Sequence, residues 1–231
     1  MTKQDRLASA ATAPSVLPVP RPVLWPLRPR SSARVSQTQG RDVSSVRIDH
    51  APLAGVTSQM LEWWYGNVPG TMLYAGEIYP RYLVWHPLDH ISYEVVGAPA
   101  TVGDEPRAAA PVRTGSHLRI REALHRDVDQ IIDIRVTVEE LTHGRAVIVK
   151  RVLGTAVIRL ENDFADSPAG ATYRTTLTIG DTTVLGRLVL NRVAHHRAFP
   201  PERIQPWIRH HIEEIGNLEN FLPQLYSDVH R

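Results

Sequence analysis

Residues 46–231 read as an α+β domain in which a curved antiparallel sheet wraps one long C-terminal helix. Three observations lead there. Period-two apolar alternation recurs in successive short segments between residues 118 and 190. Turn residues at His143-Gly144 and Gly180-Asp181 separate those segments. The only long stretch with helical spacing lies near the C-terminus.

Taken in order, residues 1–45 are expected to be a disordered basic tail. Ser, Ala, Pro and Arg alternate there without period, and Pro18-Val19-Pro20-Arg21-Pro22 fits neither a helix nor a central strand. Val23-Leu24-Trp25-Pro26-Leu27 is an apolar island within it, either a loosely ordered arm or a segment that docks on the domain or a partner. Residues 57–66 read as a short helix with Thr57 or Ser58 as its N-cap and Gly66 as its stop. Residues 81–90 read as a linker, and residues 91–96 as a strand.

Residues 118–124 alternate so that Leu118, Ile120, Glu122 and Leu124 share one face. Residues 131–138 and 146–160 alternate in the same way. Segments 173–179 and 183–190 flank the turn at Gly180-Asp181. Pro200 and Pro201 precede a helix over 203–221, which Pro223 closes. A sheet gripping a helix leaves an internal cavity, a usual place for a small apolar ligand.

Composition narrows the chemistry. Apolar residues make up 42% of the 231, enough for one sizeable core. Cysteine is absent, so disulfides and thiolate ligands are excluded and any metal rests on His, Asp, Glu or water. Residues 1–41 hold seven basic groups and one acid, whereas the remaining 190 hold 19 basic and 23 acidic groups. The basic pI near 9.1 therefore comes from the tail, and no nucleic-acid-binding surface follows from it. No apolar run approaches the roughly 20 residues that span a bilayer. The N-terminus lacks the apolar stretch and cleavage site of a signal peptide. Nothing argues for secretion, so a cytoplasmic location is expected. A homodimer is among the assemblies the sequence leaves open.

The helix carries the first chemical hint. Ile208, Ile212, Ile215 and Leu222 form a stripe that should face the sheet, with His211 close to its centre. His210, Glu214, Asn217 and Phe221 form a flanking stripe that would look into the cavity. His210 and Glu214 are four apart, so both can reach one ion. The plainer alternative is a solvated pair worth about 0.2–0.5 kcal/mol. The phase makes His210 with Glu214 the pair that matters, not His211 with Glu213.

Trp85-His86-Pro87-Leu88-Asp89-His90 offers a histidine ligand and a partner for its second N–H, either Asp89 or a backbone carbonyl. A polar turn over a buried Trp85 would read the same way. Glu122 lies in phase with Leu118 and Ile120, where an unpaired carboxylate is costly. Arg119 and Arg121 lie on the opposite face. An ion or a distant arginine is then required, unless Glu122 sits on an edge strand and reaches solvent. His195-His196 reads as a surface pair.

Read together, these residues resemble the 2,4-diacetylphloroglucinol hydrolase family, which includes phloretin hydrolase. The matching pieces are Met60-Leu61-Glu62-Trp63-Trp64-Tyr65, Tyr82-Leu83-Val84-Trp85-His86-Pro87-Leu88-Asp89-His90, Ile120-Arg121-Glu122 and Gly170-Ala171-Thr172-Tyr173-Arg174-Thr175. The last piece is His210-His211-Ile212-Glu213-Glu214, continuing through Asn217-Leu218 to Phe221-Leu222-Pro223-Gln224-Leu225-Tyr226. The resemblance implies a Bet v 1-like helix-grip fold and one zinc ion, Zn2+, held by His90, Glu122, His210 and Glu214. His86 competes with His90. The resemblance favours His90, because Tyr82 then falls at the family's substrate-facing tyrosine. Tyr173 matches a pocket tyrosine, so Glu122, Tyr82 and Tyr173 are the implied catalytic residues.

The implied reaction is hydrolysis of the C–C bond between an acyl group and a phenolic ring. The implied partner is a small hydrophobic phenolic, β-diketone-like or polyketide-like molecule of secondary metabolism. The chain departs from the family at one point. The family has a further pocket histidine in the strand matching residues 157–161. This stretch has none, and Arg159 or Glu161 is the polar residue available in its place. Two other readings stand beside hydrolysis: cyclisation or another non-hydrolytic step on a polyketide-like product, and a binding protein for a hydrophobic ligand.

Overall fold

The computed structural model describes residues 17–97, 111–183, 185–191, 194 and 199–231. Ten strands and three α-helices organise them. Strands β1 (Arg34–Gln39) and β2 (Ser44–Asp49) lead to helix α1 (Ser58–Asn67). The hairpin β3 (Thr71–Tyr74) and β4 (Glu77–Pro80) leads to helix α2 (Arg81–Trp85). Then come β5 (His90–Gly97), β6 (His117–Ala123), β7 (Ile131–Thr142), β8 (Arg145–Val152), β9 (Thr155–Ala165) and β10 (Thr172–Ile179). Helix α3 (Pro201–Val229) closes the fold.

Eight strands form one sheet in the order β1-β2-β10-β9-β8-β7-β6-β5, and β3-β4 stand apart. Every neighbouring pair in the large sheet is antiparallel. The concave face packs on α3, whose Ile208, Ile212, Ile215 and Leu222 are fully buried. This is the helix-grip arrangement expected from the sequence. Toward the helix N-terminus, Ile48, Ile158, Leu177 and Trp207 belong to one core cluster. Toward its C-terminus, Trp64, Trp85 and Phe221 belong to another. Each such side chain contributes about 1.5–3 kcal/mol through burial.

Thr57 caps α1 as expected, with its Oγ1 accepting from the Met60 N–H at 3.2 Å. Three expectations about local structure need correction. Residues 81–85 of the expected linker are helical. Pro223 does not close α3, which runs through it to Val229. A helix-interior proline costs about 3 kcal/mol, but the turn beyond it is anchored: Tyr226 packs edge-on against Trp63 at 5.5 Å. Residues 183–190, expected as a strand, instead contain a π-helical turn at Gly186–Leu190. Local polar bonds explain it. Thr183 Oγ1 accepts from the Gly186 N–H, and the Asn191 side chain bonds both backbone groups of Asp181.

Residues 146–160 also divide into two strands. Leu153 and Gly154 both adopt left-handed conformations, with φ of 50° and 81°, the geometry of a two-residue hairpin. Leu153 is exposed at the tip, and its apolar character conceals the turn in the sequence.

The tail boundary near residue 45 is overturned as well. Residues 17–45 are ordered, and β1 lies at the edge of the large sheet beside β2. The Arg21 side chain is buried, and Arg28 forms a salt bridge to Glu219 and donates to the carbonyls of Ala51 and Pro52 at 2.9 Å. Trp25 packs on Tyr74 with ring centres 5.8 Å apart, so the apolar island docks on its own domain. Specific arginine-to-carbonyl bonds hold this segment, which composition does not reveal. The remainder of the expected tail, residues 1–16, lies outside the described residues, as does His195-His196.

Candidate metal centre

Four side chains converge in the grip between the sheet and α3. His90 opens β5 and pairs in register with Glu122 of β6, which places both side chains on the concave face. His210 and Glu214 face them from one turn of α3. His90 Nε2 lies 3.3 Å from Glu214 Oε2 and 3.8 Å from Glu122 Oε1. His210 Nε2 lies 3.6 Å from Glu122 Oε2 and 3.9 Å from Glu214 Oε2. Ligands at about 2.0–2.2 Å around a tetrahedral zinc stand about 3.3–3.6 Å apart. The cluster is close to that size.

The remaining nitrogens fix the imidazoles. His90 Nδ1 donates to the Tyr82 carbonyl at 2.6 Å, and His210 Nδ1 donates to Asp89 Oδ2 at 3.0 Å. Each ring thus turns Nε2 inward. Both Nε2 atoms are buried without a hydrogen-bond partner, although a buried polar atom normally has one. Asp89 also accepts from the His125 N–H at 3.0 Å. His125 and Arg126 adopt consecutive left-handed conformations, which brings that N–H to the carboxylate.

His86 is placed differently. Its Nδ1 accepts from the Asp89 N–H at 3.1 Å and its Nε2 donates to Glu213 Oε2 at 3.2 Å. Both nitrogens are occupied. His86, Asp89 and His210 also form a compact triplet able to hold an ion, but hydrogen bonds already link its members.

Electrostatics follow from this crowding. Burial would lower the His210 pKa, but Glu122, Asp89 and Glu214 outweigh it and push it up to about 9. Burial would raise Glu214, but the His211, His90 and His210 imidazoles hold it well below the usual carboxylate range. Burial, reinforced by the neighbouring Glu122 charge, keeps the Tyr82 phenol well above its ordinary value. Its hydroxyl donates to Glu122 Oε1 at 2.7 Å, and its ring stacks on His90 at 3.8 Å.

Tyr173 requires a correction. It is buried, but it does not line the cavity beside the cluster. Its hydroxyl meets that of Tyr65, and Tyr65 lines the cavity. Helix α1 interposes Tyr65 between β10 and the open space. Arg159 and Glu161 likewise do not substitute for the family's pocket histidine. They alternate outward on β9, where Arg159 pairs with Glu139 at 2.6 Å and with Glu161 at 3.3 Å. Asn162, on the inward face of the same strand, lines the cavity instead.

Several residues around the site stand apart from the sequence expectation or had no role in it. His211 stacks on Trp207 at 4.9 Å, contacts Glu214 through Nδ1 and reaches Thr175 Oγ1 through Nε2 at 2.8 Å. Thr175 in turn contacts His50 Nε2 at 3.2 Å. Asn217 does not face the cavity; its Nδ2 donates to the Val84 and Trp85 carbonyls at 3.1 Å, clamping the end of α2. Period-two phase with Ile158 and Leu160 was the available signal for Asn162. None pointed to His50.

Among solved structures, this chain is similar to Ara h 8.0201, with TM-score 0.43 and 11% identity over 78% of this chain and 97% of that one. It is also similar to protein Ms6760 from Mycobacterium smegmatis, with TM-score 0.40 and 12% identity over 80% and 95%. No curated protein matches it. No helix among the described residues is long and apolar enough to cross a membrane. The DAPG hydrolase PhiG domain matches residues 48–227, from the end of β2 almost to the end of α3, so this chain belongs to the DAPG hydrolase family, and that membership supports a hydrolase.

Proposed function

We propose that this protein is a zinc-dependent hydrolase that cleaves the C–C bond joining an acyl group to a phenolic ring of the acylphloroglucinol type. His90, Glu122, His210 and Glu214 hold the ion. The observation that carries this reading is the pair of buried, partnerless imidazole nitrogens facing two carboxylates. Two neutral imidazoles and two carboxylates balance a dication in charge and suit a borderline-soft metal. Bound zinc supplies Lewis acidity toward a carbonyl oxygen and lowers the pKa of a water.

The chain's own residues supply the rest. The cavity beside the cluster is lined by Tyr65, Tyr82, Trp85, Tyr93 and Asn162, a phenol-rich surface for an aromatic ring. Hydrolysis adds the water hydroxyl to the acyl carbon and a proton to the ring carbon as the C–C bond breaks. Ring hydroxyls ortho and para to that carbon delocalise the developing charge through a keto tautomer. Tyr82, kept protonated beside Glu122, is the group placed to deliver the proton.

Metal analysis tests the centre, and turnover tests the reaction. Purified protein should carry about one equivalent of zinc, and Glu214→Gln should lower that content. Metal content well under one equivalent after zinc-supplemented expression removes the hydrolase reading. Acylphloroglucinols should release the corresponding carboxylic acid. Tyr82→Phe should lower kcat by about 10²–10⁴-fold with metal content unchanged. Full metal occupancy without acid release moves the assignment to a non-hydrolytic step.

A further inference from the structure

Glu122 and Glu214 of the candidate metal cluster border two cavities, each of about 80 Å³. Ile120, Glu122, Ile148, Leu160, His211 and Glu214 border both. The strands pass through the two spaces in order. Along β8, Ala146 lines the first cavity, Ile148 both and Lys150 the second. Along β9, Asn162, Leu160 and Ile158 follow the same sequence.

Both linings are largely aliphatic, and they differ in the polar groups they add. The first cavity presents phenol and amide groups. Beyond the shared residues, the second is lined by Ile132, Ile134, Val136, Ile158, Leu177, Phe199 and Trp207, and its one charged side chain is Lys150. Lys150 is the only lysine among the described residues. The arginines of the outer face on β8 and β9 pair with carboxylates, Arg145 with Asp163 and Arg159 with Glu139 among them. No described side chain forms an ion pair with Lys150. It lies two residues beyond Ile148, about 7 Å along the strand. A lysine stem can lie along apolar walls while its ammonium group holds a single anion.

We propose that the second cavity binds the acyl portion of the substrate and that Lys150 receives a carboxylate at the far end of that acyl chain. The assignment of ring and acyl halves rests on the hydrolase reading above. The substrate class is then a phenolic ketone whose acyl chain ends in a free carboxylate, and hydrolysis releases a dicarboxylic acid. The terminal carboxylate is unchanged in the reaction.

Binding can be measured without turnover. The probes are the phloroglucinol ketones of glutaric and adipic acids, with the second carboxyl free, and their methyl esters. Calorimetry on the zinc-loaded protein should show the free acids binding about tenfold more tightly than the esters. Lys150→Met should erase that preference and leave ester affinity and metal content unchanged, while Lys150→Arg should retain it. Equal affinity in the unaltered protein overturns the proposal. So does a preference that survives Lys150→Met, because the carboxylate then sits at the metal. The two readings fail separately. Acid preference without hydrolysis removes the reaction and keeps the carboxylate site; hydrolysis of neutral ketones without acid preference does the reverse.

Discussion

His86 and His90 lie in one turn, and distant carbonyl and carboxylate groups decide what each can do. His90 gives Nδ1 to the Tyr82 carbonyl and keeps Nε2 free, whereas His86 uses both nitrogens within the protein. His90→Ala should therefore abolish stoichiometric zinc binding. His86→Gln should retain the stoichiometry and weaken affinity by about 10–100-fold, the range for residues that orient ligands. Equal loss in both variants, measured by competition with a chromogenic chelator, would contradict this division. The sequence held both histidines, and only the family resemblance favoured His90, since the deciding contacts come from elsewhere in the fold. His210 adds a pH dependence. Its pKa in the metal-free protein is raised to about 9, above about 6.5 in the unfolded chain. Its contribution to the stability of the metal-free protein is thus complete below about pH 6.5 and disappears as pH rises through about 9. At pH 7, zinc must displace that proton. Calorimetric titration with zinc in buffers of different ionisation enthalpy should show proton release that fades above pH 9.

At the scale of elements, periodic pattern was a good guide where one face meets the core and a poor one where local polar bonds intervene. The four-residue spacing of Ile208 and Ile212, continued at Ile215, identified the buried stripe of α3, and period two placed Glu122 inward. Thr183 and Asn191 turned an alternating segment into a helical turn. Pro223 lies inside α3, and the turn beyond it is anchored on α1 where Tyr226 packs against Trp63. Gly216 shows a related effect. In a helix interior, alanine is favoured over glycine by about 1 kcal/mol. A Cβ at Gly216, however, would lie 2.4 Å from Arg28 Cδ and 2.6 Å from Cγ. That glycine lets Arg28 cross the helix to Glu219. Gly216→Ala should therefore destabilise the protein, by about 1–3 kcal/mol for an overpacked contact. Chemical denaturation checks the sign; stabilisation would mean that the Arg28 crossing contributes little.

At the scale of the molecule, the N-terminal segment is a strap over the loop that carries the candidate ligand His90. The Arg21 N–H bonds the Pro87 carbonyl at 3.0 Å, and its buried guanidinium reaches the His90 carbonyl at 3.2 Å. Arg126 approaches from the other side, joining the Leu88 carbonyl at 3.2 Å to that of Pro18 at 3.3 Å. Four consecutive residues, Pro87 to His90, are thus gripped through backbone atoms or through Asp89, and composition reports none of it. The basic excess that read as a free tail is partly spent in these bonds. Each charge-assisted bond contributes about 1.5–3 kcal/mol, so releasing the strap should loosen the loop before it unfolds the core, which α3 and the sheet hold independently. Deleting residues 1–22 should leave the far-UV spectrum unchanged and speed zinc loss to a chelator by about tenfold or more, within the range for contacts that orient ligands. Arg21→Ala should reproduce much of that effect, and Arg21→Lys less of it, since an ammonium can still meet one carbonyl. A zinc-loss rate unaltered by the deletion would show that the loop holds its own geometry and that the strap serves only the edge of the sheet.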